Sequence, residues 1–172
     1  MEKRKEDFDR RAIIRESTDR RSPIVKWSNT YLLGIKIIDD QHKDLLDFVN
    51  DIYSHSAEKE DEQRVYFKGV ISKVVEYVKV HFATEEKIML ATKFPGYSEH
   101  KKNHEAFILK IVEAVKDFEA GKRLVLTNFS SFLKDWILTH IAVKDVKYRD
   151  HLKQIATRNP DGTLNVSWIG QR

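Results

Sequence analysis

Hydrophobic residues recur every three or four positions along four long segments of the chain, a spacing that places them on one face of an α-helix. Glycine and proline are scarce and lie between these segments, where helices end. The pattern therefore predicts four long helices. Because successive long helices with short connections pack antiparallel, we expect an all-α fold, an antiparallel up-down-up-down four-helix bundle.

Polar and breaker residues give approximate bounds for the first three helices. The first is expected to follow GIKIIDD, with Asp39 or Asp40 as N-cap, and to run through QHKDLLDFVNDIYSH. The second is expected over about 62–91, closed by the proline and glycine of KFPGY. The third is expected over about 98–120 and ends at Gly121.

The fourth helix is expected to start after Thr127 or Asn128, both favourable N-caps, and to run to about Ile155. The segment NPDGTLNVSW then predicts a turn followed by a short extended tail. The predicted divisions of the chain are an N-terminal extension (1–23), the four-helix bundle (24–150) and a C-terminal tail (151–172).

Composition narrows the class of protein. With 172 residues, 41% of them hydrophobic, the chain can bury the core of one domain. It has no apolar run near 18 residues and no secretory signal, so we expect a cytoplasmic protein without membrane insertion. The 31 basic residues are mixed with 27 acidic ones, which argues against a nucleic-acid partner. Because there is no cysteine, any metal must be bound by histidine and carboxylate.

The segment HFATEEKIM in the second helix carries a histidine and two glutamates. In a helix, a step of four residues returns to within about 40° of the same face, whereas a step of five lands about 140° away. His81 therefore shares a face with Glu85, and Glu86 is expected at the surface. Val78 and Phe82 lie near the same face, so the pair is expected to point into the bundle. A carboxylate buried there needs compensation, which a metal ion supplies.

The other helices offer ligands of the same kind. HKKNH places His100 and His104 one turn apart on the third helix. The first helix offers His42, and the fourth offers His140 with Asp145 five residues later. A lone inward histidine is more often a core residue than a ligand. Here, however, five of the seven histidines lie on four helices that can converge on one interior point.

The step of five from His140 to Asp145 carries a structural prediction. A regular α-helix cannot aim both side chains at one site, because their directions differ by about 140°. We therefore expect a π-type turn or a similar distortion between them.

Five imidazoles and two carboxylates are too many ligands for one ion. If both carboxylates bridge and a solvent oxygen is shared, the ligands fill all but one position of two octahedral ions. The open position is expected on the ion with fewer histidines. Nitrogen and oxygen donors in this arrangement suit iron or manganese better than tetrahedral structural zinc.

These segments resemble the hemerythrin family, in particular its bacterial single-domain and sensor-domain members. The resemblance is carried by DDQHKDLLDF, HFATEEKIM, FPGYSEHKKNHEAF and WILTHIAVKDVKY, with Trp27 ahead of GIKIIDDQH, and it covers about 24–148. It implies a non-heme di-iron centre that binds dioxygen. By this resemblance His100, His104 and His140 hold one iron, His42 and His81 hold the other, and Glu85, Asp145 and a solvent oxygen bridge them.

Three functional classes remain open: reversible oxygen binding for storage or delivery, oxygen sensing with a signalling partner, and an enzyme that scavenges oxygen or peroxide. The enzyme would need an external reductant, because the chain has no cysteine or flavin motif to supply electrons. Reversible dioxygen binding for storage, delivery or sensing is therefore preferred. A ferritin-like oxidase would use more carboxylates than histidines, the reverse of the ratio found here.

The residues around the candidate ligands and the two remaining histidines have separate expected roles. Trp136 and Ile137, one turn before the histidine of the fourth helix, are candidates for the wall of the oxygen pocket, although this spacing is also that of ordinary core. Tyr148 is a candidate hydrogen-bond donor near the bridge, with a partly exposed position as the alternative. His55 and His151 are expected outside the cluster, one on another face and the other about 16 Å along the helix.

Overall fold

Four helical arms run through residues 22–166, the part of the chain that this computed structural model describes. They are α1 (Lys36–His55), α2 (Glu60–Ala91), α3 (Tyr97–Glu119) and a fourth arm of three consecutive parts, α4 (Val125–Thr139), a π-helical segment (His140–Asp145) and α5 (Val146–Ile155). Each arm packs against two others: α1 contacts α2 and α4, and α3 contacts the same two helices. The predicted all-α four-helix bundle is confirmed.

The predicted N-cap of α1 is wrong, since this helix begins at Lys36, ahead of both aspartates. Burial of Ile35 and Ile38 brings the first turn into the core earlier than the polar pattern indicates. The carboxylate of Asp39 instead reaches back to the preceding loop, where it accepts hydrogen bonds from the backbone N–H groups of Leu33 at 2.7 Å and Gly34 at 3.0 Å. The Asp39 carboxylate therefore still accepts hydrogen bonds from backbone amides near the start of α1.

The predicted start of the fourth arm is also too late. α4 begins at Val125, directly after Leu124, which adopts a left-handed backbone conformation with φ 59°. The backbone N–H of Asn128 already donates to the carbonyl of Leu124 at 2.9 Å, so this residue lies within the helix. Burial of Leu126 and Phe129 explains the early start, because both side chains must reach the core from the first turn.

The expected distortion of the fourth arm is confirmed. Residues His140–Asp145 form a π-helical segment between two α-helices. The wider turn lets a step of five residues return to nearly the same face, which an α-helical step of five does not do. The predicted end of α3 is correct as well, because Gly121 at φ 72° follows its last turn and donates to the carbonyl of Phe118.

The hydrophobic core is divided into two parts along the bundle axis. The larger part lies toward one end and includes Leu45, Val78, Phe107 and Ile137. The smaller part at the other end consists of Leu33, Ile35, Ile38, Ile88, Met89, Tyr148, Leu152 and Leu164. Along the sequence of every arm, buried histidines and carboxylates separate the residues of the larger core from those of the smaller core.

The segment after α5 closes the end of the smaller core. Arg158 and Leu164 form an isolated antiparallel bridge, and the backbone N–H of Leu164 donates to the carbonyl of Gly34 at 2.6 Å. Leu152 and Leu164 are both buried. The division of the chain at residue 150 stays a prediction, and most of the predicted N-terminal extension lies outside the described residues. Within residues 22–166, no helix has the length and apolar character needed to span a membrane.

Candidate metal centre

Seven buried side chains meet in the polar layer between the two parts of the core. Each retains 4% or less of its exposed surface, and all four arms contribute. They are His42 on α1, His81 and Glu85 on α2, His100 and His104 on α3, and His140 and Asp145 at the two ends of the π-helical segment. All seven ligand candidates from the sequence are thus brought together.

The helical steps act as the sequence indicates. His81 and Glu85 lie one turn apart on α2, with Nε2 of the histidine 3.8 Å from Oε2 of the glutamate. The π-helical segment turns His140 and Asp145 toward each other, so that Nε2 and Oδ1 are 3.1 Å apart. Without the extra residue in this turn, the aspartate would face away from the histidine.

Three imidazoles form one half of the site, which we call the three-histidine half. Nε2 of His140 lies 3.1 Å from Nε2 of His100 and 3.2 Å from Nε2 of His104. Two carboxylate oxygens face the same nitrogens: Oε2 of Glu85 is 3.2 Å from His104, and Oδ1 of Asp145 is 3.4 Å from His100. Three nitrogen and two oxygen donors therefore converge on one point.

His42 and His81 form the other part, the two-histidine half, with ring centroids 5.1 Å apart. Nε2 of His42 lies 3.2 Å from Oδ2 of Asp145 and 3.7 Å from Oε1 of Glu85. The two oxygens of Asp145 thus face different histidine groups. Glu85 also faces both groups, because its Oε1 lies near His42 and its Oε2 lies near His104 and, at 3.8 Å, near His81. This is the arrangement that two bridging carboxylates require.

Several atoms of the site have no hydrogen-bond partner among the described residues. They are both ring nitrogens of His42, Oε2 of Glu85 and both carboxylate oxygens of Asp145. Buried polar atoms left in this state are costly, so a group that accepts their lone pairs is needed. The donor atoms of Glu85, His100, His104 and His140 lie within 4.8 Å of one another, as do those of His42, His81 and Glu85. The residues present therefore fit two metal ions that share Glu85.

The charges of the metal-free site are set by burial and by the two carboxylates. Burial lowers the pKa of His42 and His140, but Asp145 and Glu85 outweigh it and raise both pKa values to about 9. Burial lowers the pKa of His81 to about 4. Although burial raises the pKa of Glu85, the neighbouring imidazoles hold it well below its usual range. Two imidazolium groups thus balance the carboxylates, and metal ions would replace their protons.

Three side chains outside the cluster make hydrogen bonds with candidate ligands. Tyr148 is fully buried, and its hydroxyl donates to Oε1 of Glu85 at 2.9 Å, so the predicted contact near the bridge is confirmed. Nδ1 of His81 lies 3.1 Å from Oε1 of Gln41.

Nδ1 of His104 lies 3.0 Å from Oε1 of Glu86, whose side chain is only 22% exposed. The expectation that Glu86 is a surface charge is therefore wrong. Residue 86 does point away from the Glu85 face, but its direction leads to the neighbouring helix α3 rather than to solvent.

Aromatic rings wall the three-histidine half. The ring of Phe82 stacks on His104 at 3.7 Å with an interplanar angle of 2°, and the ring of Trp136 stacks on His140 at 4.2 Å. Ile137 instead lines a small apolar cavity in the larger core, together with Leu45, Val78, Leu133 and others. The assignment of Trp136 and Ile137 to an oxygen pocket stays a prediction.

The two remaining histidines lie outside the cluster, as expected. His55 stacks on Tyr66 at 3.7 Å, and its Nδ1–H donates to the carbonyl of Asp51. His151 donates from Nε2 to the carbonyl of Thr92 at 2.9 Å. Both histidines are half-buried.

Comparison with known proteins agrees with this geometry. The family model of the hemerythrin HHE cation binding domain matches residues 33–151. A bacteriohemerythrin of Stenotrophomonas maltophilia is 32% identical over 152 residues, which are 86% of this chain and 94% of the relative. A myohemerythrin of Sipunculus nudus is 30% identical over 127 residues, with coverages of 73% and 92%. A solved structure of wild-type hemerythrin superposes with a TM-score of 0.67 at 26% identity, covering 75% of this chain and 98% of that one.

Proposed function

The chain belongs to the hemerythrin family and is a non-heme di-iron oxygen-binding protein, and we propose that its seven buried ligands hold both irons and that it binds dioxygen reversibly. In this proposal one iron is held by His100, His104 and His140, the other by His42 and His81, and both by the bridging carboxylates of Glu85 and Asp145. When bound, two ferrous ions supply the electrons that dioxygen binding draws from a centre of this family.

One observation supports this ligand assignment above others. Glu85 and Asp145 lie between the two histidine groups, and three of their four oxygens have no hydrogen bond within the described residues. A carboxylate kept fully buried in this state is expected only where a cation takes its lone pairs. Among residues 22–166 no lysine or arginine pairs with either carboxylate, so in the metal-free protein only the neighbouring imidazoles balance their charge.

The surrounding apolar side chains support reversible binding. Ile137 and Leu45 lie one turn from His140 and His42, and both are buried. Apolar walls next to the site keep water out, and exclusion of water limits side reactions of a bound oxidant. We propose that these walls favour release of oxygen over oxidation of the centre.

Whether the bound oxygen is stored, delivered, sensed or consumed is a more specific question. Storage, delivery and sensing all require reversible binding, whereas an enzyme would consume oxygen or peroxide with an external reductant. The expected cytoplasmic location, the reductant and a signalling partner stay predictions.

A stopped-flow cycle tests the proposal. The iron-loaded, reduced protein is mixed with oxygen, the oxygen is removed, and the return of the reduced state is followed without added reductant. Recovery over several cycles supports reversible binding, and oxygen consumption sustained by a reductant would contradict it. Glu85→Ala is the negative control, because it removes one bridge and should abolish the cycle.

A further inference from the structure

The two halves of the metal centre differ in the charge that lies behind a histidine ligand. Behind His81, Nδ1–H donates to the side-chain carbonyl of Gln41, a neutral acceptor, at 3.1 Å. Behind His104, Nδ1–H donates to the carboxylate of Glu86 at 3.0 Å. The two acceptors lie at similar distances but differ in charge, one neutral and one negative, so the two imidazoles are not equivalent donors to a metal.

Successive glutamates of α2 reach the same site by different routes. Glu85 points into the bundle and is fully buried, whereas Glu86 is rotated by about 100° and reaches α3 from the side. His104 itself is buried, so its Nδ1 proton has little access to water. The Glu86 carboxylate is the acceptor that the structure provides for it.

A carboxylate behind an imidazole has two effects on the opposite nitrogen. It fixes the tautomer that carries the proton on Nδ1, which leaves the lone pair of Nε2 free for a metal. It also increases the electron density of the ring, which makes Nε2 the stronger donor. In this protein, Nε2 of His104 faces the three-histidine half and lies 3.2 Å from Oε2 of Glu85.

The hydrogen bond of Tyr148 reinforces this difference. Its hydroxyl donates to Oε1 of Glu85, the oxygen that faces His42 at 3.7 Å, and this bond draws electron density from that oxygen. Oε2, which faces His104, has no such donor. Both contacts therefore direct electron density toward the three-histidine half.

We propose that Glu86 is a positioning residue that fixes His104 and makes the three-histidine half the more electron-rich one, the half that favours the oxidised metal. The inference rests on the proposed di-iron function and adds to it a cause for inequality between the two irons. Gln41 is the neutral counterpart that leaves the two-histidine half more easily reduced.

Reciprocal variants test the role of charge. Glu86→Gln keeps the length of the side chain and an oxygen acceptor but removes the charge, and Gln41→Glu adds a charge behind His81. Glu105→Gln is the matched control, because it removes a charge one residue from His104 on an exposed face of α3. The midpoint potentials of the iron-loaded proteins are measured by mediated redox titration.

The expected result is a higher potential for Glu86→Gln, a lower one for Gln41→Glu, and no change for Glu105→Gln. A potential of Glu86→Gln equal to that of Glu105→Gln would overturn the inference. If Glu86→Gln fails to fold, Gln41→Glu decides: a potential that does not fall contradicts the electrostatic argument.

Zinc binding gives a second readout that involves no redox chemistry. Loss of an outer hydrogen-bond partner typically costs about 10–100-fold in metal affinity, so Glu86→Ala should bind zinc about that much more weakly. Wild-type zinc affinity in Glu86→Ala would overturn the positioning role. Melting of the metal-free variants separates this effect from a general loss of stability, which should be small for a partly exposed side chain. Failure of the wild-type protein to bind two irons would instead refute the proposed function.

Discussion

The hydroxyl of Tyr148 on α5 lies 2.9 Å from Oε1 of Glu85 on α2, and neither side chain is exposed to solvent. This contact joins the fourth arm to the carboxylate that both halves of the site share. Burial raises the pKa of Tyr148 well above its ordinary value, and the nearby Glu85 carboxylate adds to the shift, so the phenol stays a donor.

Tyr148→Phe is therefore expected to destabilise the metal-free protein more than the metal-loaded one. Removing the donor leaves Oε1 of a buried carboxylate without a hydrogen bond, which costs about 1–3 kcal/mol. In the metal-loaded protein, bound ions would neutralise the same carboxylate, so the loss of stability should be smaller there. Denaturant unfolding of both forms measures the difference, and an equal loss in the two forms would contradict the argument.

Iron content should separate the two adjacent glutamates. Glu85→Ala removes a proposed bridge between the two halves and should lower the iron content well below two per chain. Glu86→Ala removes only the acceptor behind His104, so its loss should be smaller but measurable. Metal analysis after gel filtration gives the comparison. Equal losses would mean that the two residues do not differ as their positions on α2 indicate.

The cluster of seven buried side chains could be predicted because its geometry is local to each helix. The four-residue steps from His81 to Glu85 and from His100 to His104 give one face whatever the packing, and the five-residue step to Asp145 implies the π-helical segment.

The outer contacts could not be predicted in the same way. Whether Glu86 meets solvent or His104 depends on the rotation and spacing of α2 against α3, and Gln41 reaches His81 only through the packing of α1 on α2. The predicted starts of α1 and α4 are wrong for a related reason, because burial of Ile35 and Leu126 outweighs the capping preference of nearby polar residues.

Asp39 should matter for stability although it binds no metal in the proposed assignment. Asp39→Ala removes the acceptor of two loop amides, those of Leu33 and Gly34, and should cost about 1–3 kcal/mol in free energy of unfolding. Asp40→Ala is the control, because this residue pairs with Lys36 at the surface and should cost less than about 1 kcal/mol. Chemical denaturation decides, and equal costs would refute the role of Asp39 at the start of α1.

Removal of metal is expected to lower the melting temperature of the wild-type protein. Ions that bind only the folded state stabilise it by about 4 kcal/mol at a free concentration of 1,000 times Kd. For a domain of this size that corresponds to a shift of roughly 8–16 °C. Calorimetry before and after chelation measures the shift. Asp145→Ala, which lacks one proposed bridge, should show a much smaller difference between the two forms, and a wild-type-sized difference would contradict its assignment as a ligand.

The cavity beside Ile137 should control how long the reduced centre survives in oxygen. Ile137 lies one turn from His140, and its side chain lines the cavity together with Leu45 and Val78, each one turn from another candidate ligand. Ile137→Ala enlarges this apolar space and admits water, so fewer molecules should return to the reduced state after each oxygen cycle. Leu126→Ala is the control, since it truncates an equally buried residue of α4 that lies about 21 Å along the helix from His140 and carries a similar cost of about 2–5 kcal/mol. Stopped-flow spectroscopy over repeated cycles should show faster loss in Ile137→Ala than in Leu126→Ala. The same loss in both variants would mean that general destabilisation, and not the wall of the cavity, limits reversibility.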